Sequence, residues 1–317
     1  MNIFYFVMRM CMYFLIPLLV VALGGMFSER SGVLNIALEG IMVFSAFAGI
    51  MFTNYMQETI SGQLLLVLAM LVSMVTGIAF TSLHAFAAIT LKADQTISST
   101  ALNMFAPAFC IFVARVVHGV QHIQFNNTFR IESVPGFSKI PLLGPILFEN
   151  AYITTYIGFG ILIVASIVLF HTRFGLRLRA CGENPQAADS LGVNVYKIRY
   201  AGVFISGALA GLGGLIYVVP TVSSYSCSVA GYGFLALSVL IFGQWQPVKI
   251  FLAALFFSLA MTVAAAYQSI EVLKEAGFPE VFYKCLPYII TLAVLVISSK
   301  NSRAPRSAGQ PYDMGRR

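Results

Sequence analysis

Glu39 is an ionisable residue inside a long apolar stretch, where its carboxylate needs polar surroundings. It follows Ser31 by eight residues, about 12 Å along a helix, and Asn35 lies one turn earlier on the same face. An ionisable group at this depth is costly in hydrocarbon, so it must face a bundle interior or a watery path. Glu39 and Asn35 are therefore candidates for lining a solute path, with interhelical hydrogen bonding as the alternative.

A second polar stripe lies further along the chain. Thr96, Ser99 and Asn103 are spaced three and four residues apart, so one helix presents all three on one face. Two polar stripes on separate helices predict a polar cavity between them. Hydrogen bonds that only hold a membrane bundle together are the alternative, and they contribute roughly 0.6 kcal/mol each.

The elements that carry these residues are membrane helices. Of 317 residues, 59% are hydrophobic and 10% are charged, whereas soluble domains have about 45–50% apolar and ~25% charged residues. The composition excludes a soluble globular protein, and the low charge excludes a nucleic-acid partner despite the net charge of +7. Nine apolar runs without barrel-type alternation predict helices. They lie near residues 4–27, 33–52, 63–91, 96–117, 151–170, 198–220, 232–246, 249–268 and 284–299.

The sequence therefore predicts an all-α polytopic membrane protein, one transmembrane domain over residues 1–317 with about nine helices (eight to ten). The third run is longer than one bilayer, which indicates a tilted helix or a break near Gly77. The seventh run is short and bounded by glycines, which predicts a half-helix or re-entrant segment, a feature typical of a transport path.

The orientation follows from loop charges. Residues 171–200 carry five Arg and Lys against Glu183 and Asp189, and the tail over 300–317 is also basic. Both are expected in the cytoplasm under the positive-inside rule, which places the 118–150 loop and the N-terminus outside. The predicted location is the cytoplasmic (inner) membrane, with multiple crossings.

Signatures of catalysis and cofactor binding are absent from the sequence. There is no GxxxxGK[ST], GxSxG or HExxH, and nothing completes a metal site around His118 and His122. The five cysteines are scattered without a CxxC pair, so neither a zinc site nor a disulfide framework is indicated. We expect no catalytic residue, no metal and no cofactor in this chain, and we expect a transport subunit rather than an enzyme.

Two further segments have patterns that indicate contacts with other helices or proteins rather than catalysis. Asn184 before Pro185 indicates a helix start and Gly192 a helix stop, which predicts a short cytoplasmic helix of about two turns. Such a helix buries little by itself and is best explained as a surface held against a separate protein. Small residues recur at Gly207, Gly211 and Gly214, a spacing that allows close helix packing.

These stretches resemble the permease subunits of bacterial ABC importers of the branched-chain amino acid/ribose/nucleoside superfamily, most closely the nucleoside-type branch. The resemblance rests on Glu29–Gly40, Ala93–Asn103, Arg179–Leu215 and Gly233–Pro247, with a weaker echo at Leu286-Pro287-Tyr288. It implies that residues 182–192 form the coupling helix that rests on an ATPase. The coupling residues would be Gly182, Glu183, Asn184, Ala187, Ala188 and Gly192.

The resemblance also implies the partners and the solute. It implies an ABC ATPase that holds ATP and Mg, a second permease that is a paralogue or an identical copy, and an external substrate-binding lipoprotein. The expected function is a permease that forms the path for a nucleoside-like solute. The alternatives are a simple sugar such as ribose or galactose, a riboflavin-like vitamin, or an ion-coupled secondary carrier with Glu39 as its proton or sodium site.

Overall fold

The structure is a computed structural model that describes residues 3–134, 144–267, 279–298 and 304–313. The sequence predictions that fall on 135–143 of the external loop, and on the remaining parts of the tail, lie outside the described residues. Within them the chain is an all-α membrane protein with two small two-stranded sheets.

Seven helices of the described chain are long and apolar enough to cross a membrane. The nine apolar runs correspond to these seven, to a short helix α9 and to the last helix α11, and two short helices separate α5 from α8. The helices are α1 Ile3–Arg30, α2 Leu38–Met56, α3 Gln63–Ala85, α4 Gln95–His118, α5 Ile153–His171, α6 Arg173–Glu183, α7 Pro185–Ser190, α8 Val195–Thr221, α9 Tyr232–Phe242, α10 Pro247–Ala266 and α11 Glu280–Ser298.

Helix α8 is the central helix of the bundle, and its small residues let α2 and α3 approach it closely. A Cβ at Gly207 would lie 2.8 Å from the Gly77 carbonyl oxygen of α3, and one at Gly211 would meet the Ser73 carbonyl oxygen. A Cβ at Gly214 would meet the Met42 carbonyl oxygen of α2. Lipid supplies no hydrophobic drive between helices, so this close van der Waals packing stabilises the bundle.

The predicted break near Gly77 is wrong. Helix α3 continues through Gly77, and its last turn, Phe86–Thr90, widens into a π-helix. Gly77 is instead the point where α3 crosses α8, since a Cβ there would meet the Gly207 carbonyl oxygen. The glycine allows close helix approach rather than a kink.

The predicted placement of Asn35 one helical turn before Glu39 is also wrong. Helix α2 begins only at Leu38, and the chain between α1 and α2 is a non-helical turn. Gly32 has φ +93 in this turn, a conformation that favours glycine. Asn35 therefore lies in the turn, and Glu39 lies in the first turn of α2.

The two ends of the bundle have different coverings. At one end Ile123–Gln124 pairs with Ser224–Tyr225 and Ile131–Ser133 pairs with Glu149–Ala151, so the 118–150 loop is a structured cover where it is described. At the other end the tail segment 304–313 packs on α6 and α7. We call this the cytoplasmic end, because charge bias predicts that both segments lie in the cytoplasm.

Candidate solute path and coupling surface

The seventh apolar run forms a half-helix. Helix α9 has 11 residues, so it is about 16 Å long, roughly half of a ~30 Å hydrocarbon core. The chain before it, residues 226–231, is irregular, with positive φ values at Cys227, Ala230 and Gly231. In the strand before this segment, the Tyr225 hydroxyl donates to the Val43 carbonyl oxygen at 2.9 Å. Irregular backbone at membrane depth is tolerated where protein buries it. The prediction of a half-helix is confirmed.

Glu39 caps the N-terminus of this half-helix. Its carboxylate accepts the Gly231 N–H at 2.9 Å and the Gly233 N–H at 2.6 Å. The free N–H groups and the positive dipole end of α9 offset the cost of the half-buried charge. A Cβ at Gly233 would meet the Glu39 backbone, so only glycine allows this approach. This contact agrees with the alternative given for Glu39 in the sequence analysis, an interhelical hydrogen bond rather than a place on the solute path.

We expect replacement of Glu39 by Ala to lower the free energy of unfolding by about 2–3 kcal/mol, because two charge-assisted hydrogen bonds are lost and two partly buried N–H groups lose their acceptor. Glu39→Gln, which keeps one acceptor oxygen, should fall between Ala and the unaltered chain. Thermal unfolding of the purified permease measures both. An unchanged unfolding temperature in Glu39→Ala would contradict the capping role.

Asn103 and its neighbours satisfy the backbone of the turn between α1 and α2. The Asn103 amide donates to the Ile36 carbonyl oxygen at 2.9 Å and accepts the Gly40 N–H at 2.8 Å. Gln95 accepts the Leu34 N–H at 2.7 Å. Buried backbone groups left unpaired by the helix break need such partners. Asn103 therefore joins α4 to the start of α2 by hydrogen bonds.

The remaining candidate path residues, Asn35, Ser99 and Thr96, differ in burial and in hydrogen bonding. The Asn35 amide donates to the Ser206 hydroxyl at 3.0 Å and its oxygen accepts the Ala37 N–H. Ser99 is fully buried and its hydroxyl has no hydrogen-bond partner in the described chain, whereas Thr96 is exposed in the first turn of α4. Ser99 is the one residue of this set whose buried polar atom is left free. Path lining by these residues stays a prediction.

The predicted coupling segment is a cytoplasmic helix pair, α6 and α7. The Asn184 side chain accepts the Ala187 N–H at 3.0 Å, which caps α7, and Gly192 ends it with φ +80. Glu183, Asn184, Ala187 and Gly192 are exposed to solvent. Four of the six predicted coupling residues therefore form an open surface at this end.

The other two predicted coupling residues face the chain itself. Ala188 is 3% exposed, and a Cβ at Gly182 would meet the Arg30 carbonyl oxygen. They hold the helix pair against the bundle rather than present it. Leu191, which is 85% exposed directly after α7, was not among the predicted coupling residues. Its signal was an apolar residue immediately before the glycine stop. We define the coupling face as Glu183, Asn184, Gln186, Ala187, Leu191 and Gly192.

An ion pair and two hydrogen bonds join the coupling face to Trp245, which follows the end of α9 at Phe242. Glu183 lies 3.8 Å from the Arg30 guanidinium, and Arg30 donates to the Trp245 carbonyl oxygen at 3.2 and 3.4 Å. The Trp245 indole N–H donates to the buried Glu29 carboxylate at 2.6 Å. Glu39 thus contacts the chain at the start of the half-helix, and Glu29 contacts the chain just after its end.

The tail segment 304–313 acts as a strap over the helix pair. The Ser307 N–H donates to the Gly182 carbonyl oxygen at 2.9 Å, and its hydroxyl donates to the Cys181 and Gly182 carbonyl oxygens at 3.0 and 2.7 Å. Tyr312 packs on Cys181 and Ala188, and Asp313 pairs with Lys92 at 2.9 Å. Burial raises the pKa of the Cys181 thiol to about 11, so this cysteine is an inert packing residue.

We expect Tyr312→Ala to release the strap, because the 4% exposed ring is its main apolar anchor. Trypsin cleavage after Arg306 in the native protein should accelerate at least about tenfold, since local opening controls proteolysis. Tyr55→Ala is the matched control, because Tyr55 is 79% exposed on the external side. Equal cleavage rates in both variants would show that the strap is not held by this ring.

No group of three or more His, Cys, Asp or Glu side chains that could hold a metal ion occurs among the described residues.

Comparison with known proteins gives one family and several close relatives. Residues 7–297 match the model of the branched-chain amino acid transport system permease component. The chain is 39% identical to the guanosine ABC transporter permease protein NupQ of Bacillus subtilis, over 95% of this chain and 94% of NupQ. It is 40% identical to the nucleoside ABC transporter permease protein NupC of Lactococcus lactis, over 93% of each.

A more distant relative is longer than this chain. The nucleoside ABC transporter permease protein NupB of Lactococcus lactis is 24% identical over 93% of this chain but only 83% of NupB. No solved structure matches the chain.

Proposed function

The chain belongs to the family of branched-chain amino acid transport system permease components, and from that premise we propose that it forms the nucleoside path of an ATP-driven importer together with a second permease. It is a multi-pass membrane protein and a transport subunit. A separate ABC ATPase would hydrolyse ATP, and an external lipoprotein would deliver the solute.

The observation that carries the mechanism is the connection between the coupling face and the half-helix. Because Glu183 at the end of α6 pairs with Arg30 and Arg30 donates to Trp245, a displacement of the α6–α7 pair would act on the cytoplasmic end of α9. The other end of α9 is fixed to α2 through Glu39. We propose that closure of the ATPase dimer tilts α9 about its capped N-terminus and changes access to the path.

The nucleoside assignment is supported by the relatives whose names state a solute. Both relatives near 40% identity cover almost the whole chain, and their names specify guanosine or nucleosides. Lactococcus lactis has a second, longer nucleoside permease in NupB, which supports a paralogue rather than an identical copy as the partner.

The test is uptake by the assembled complex reconstituted in vesicles with its binding lipoprotein. We expect uptake of labelled guanosine that requires ATP on the coupling-face side and persists when a protonophore collapses ion gradients. Excess unlabelled nucleoside should compete, whereas ribose, galactose and riboflavin should not. Competition by one of these three would reassign the solute within the same transporter class.

The same assay separates an importer from an ion-coupled carrier. A carrier that uses Glu39 would lose uptake with the protonophore while ATP is present. Its Glu39→Gln variant would lose uptake without a matching loss of stability. The capping contacts of Glu39 favour the structural role, because two backbone N–H groups already occupy the carboxylate.

A further inference from the structure

A polar cavity lies between the start of α7 and the tail strap. Its volume is about 240 Å³. Glu183 and Gln186 line one side, Arg306 and Gln310 the other, and the Arg199 side chain of α8 also lines it. None of the candidate path residues lines this cavity.

Arg199 is a buried cation whose charge has no counter-ion in the described chain. The residue is 1% exposed, and its Nη1 donates to the Gln310 carbonyl oxygen at 3.0 Å. Among the described residues, its enclosed Nε and Nη2 atoms have no hydrogen-bond partner, and no carboxylate lies within ion-pair distance. The Tyr312 ring centroid lies 5.8 Å from the guanidinium carbon. A buried charge left unpaired is strongly unfavourable, which indicates a missing anionic partner.

The backbone is shaped to leave room for this guanidinium. Gly32, in the turn between α1 and α2, has φ +93, and a Cβ there would lie 2.8 Å from Arg199 Nη2. A larger residue at position 32 would be strained and would press on the guanidinium. Arg199 is thus held at a fixed place between the turn, α6 and the strap.

The lining has an excess of positive charge. Arg199 and Arg306 oppose a single carboxylate, Glu183, and that carboxylate is shared with Arg30 at 3.8 Å. Arg306 is exposed and lies at the entrance, while Gln186 and Gln310 add neutral polar groups. Two guanidinium groups around a small polar cavity favour an oxyanion, because guanidinium N–H groups form charge-assisted hydrogen bonds with phosphate oxygens.

We propose that this cavity binds a phosphate-type oxyanion, with Arg199 as the buried donor and Arg306 as the second cation at its entrance. The bound anion would join α8 to the tail strap directly behind the coupling face. The phosphate group can come from free phosphate in the cytoplasm or from the headgroup of an anionic phospholipid.

The experiment uses the purified full-length permease complex in neutral detergent and compares thermal unfolding with inorganic phosphate and with chloride at equal ionic strength. We expect a saturable rise of the unfolding temperature with phosphate only. The apparent affinity should fall at least about tenfold in Arg306→Gln, the loss expected for one charge-assisted contact. Arg177→Gln, an exposed arginine of α6 outside the cavity, is the matched control and should bind as the unaltered chain does.

Two further measurements are needed. A conservative variant of Arg199 tests binding in a protein that still folds, and a lipid measurement identifies the source of the phosphate group. Arg199→Lys keeps the charge but loses the guanidinium fork, so it should fold and bind phosphate more weakly. For the lipid source, the complex is purified from phosphatidylglycerol or phosphatidylcholine nanodiscs and its bound lipid is measured. Retained phosphatidylglycerol that is lost in Arg306→Gln and displaced by phosphate would assign the site to a headgroup.

The proposal is overturned if phosphate and chloride act alike and no anionic lipid is retained. It is also overturned if Arg306→Gln and Arg177→Gln bind alike. A structure of the complex with an ATPase carboxylate on Arg199 would overturn it too, because the counter-ion would then be a protein side chain.

Discussion

We expect ATP-driven uptake to fall at least about 30-fold when Leu191 is replaced by Asp, with the permease still folded. Leu191 is 85% exposed at the centre of the coupling face and makes little contact with its own chain. An apolar residue so exposed on a cytoplasmic surface fits a pocket of a partner, and an aspartate there would have to be buried without a counter-charge. The measurement is nucleoside uptake and ATP hydrolysis in reconstituted vesicles.

The control for Leu191→Asp is Val120→Asp, since Val120 is 55% exposed at the external end. That variant carries the same new charge and should bind the ATPase normally. Leu191→Met keeps the apolar volume and should retain most of the uptake. Equal uptake by Leu191→Asp and the unaltered chain, with normal ATPase content, would exclude Leu191 from the coupling contact.

The second large effect concerns folding. Gly211→Leu should reduce the yield of monodisperse permease at least about tenfold, because its side chain would have to displace the backbone of α3. A Cβ at Gly211 meets the Ser73 carbonyl oxygen and lies 2.9 Å from the Ser45 hydroxyl. Backbone at this crossing cannot rotate away as the end of a flexible side chain can. Size-exclusion chromatography of membrane extracts measures the yield.

Gly160→Leu is the matched control, because a Cβ at Gly160 of α5 has no neighbour within 4 Å. It makes the same substitution in a membrane helix and should leave the yield within about twofold. A comparable loss in both variants would mean that leucine is harmful at any helical glycine. The close crossing of α3 and α8 would then not be the cause.

The sequence predicted the helices well because each has to be apolar over a bilayer-scale length. The short seventh run was predictable for the same reason, since an 11-residue helix is too short to span the core. The start of α7 was predictable from Asn184 and Pro185, because a side-chain cap and a proline are local signals. These features depend on neighbours within one turn of the chain.

The sequence could not give the partners of the polar residues, because those partners are distant in the chain. Glu39 meets Gly231 and Gly233 nearly two hundred residues later, and only the fold places them together. The displacement of Asn35 from α2 follows from a turn that Gln95 and Asn103 satisfy. An apolar run predicts a helix over its whole length, even where its first residues are not helical in the structure.

The sequence also could not predict which residues of the coupling segment are exposed and which are covered by the rest of the chain. Gly182 and Ala188 share the segment with Glu183 and Ala187, yet the strap and α1 cover only the first two. The strap itself comes from residues more than a hundred positions away, where Ser307 meets Gly182. No periodicity in a stretch this short could assign those faces.

The most direct test of the account is photo-crosslinking from position 191 in the assembled importer. A photoreactive amino acid in place of Leu191 should give a covalent product with the ATP-hydrolysing subunit, and the same amino acid in place of Val120 should not. A product that joins position 191 only to lipid, or no product with that subunit in an ATPase-containing complex, would contradict the coupling role of this face.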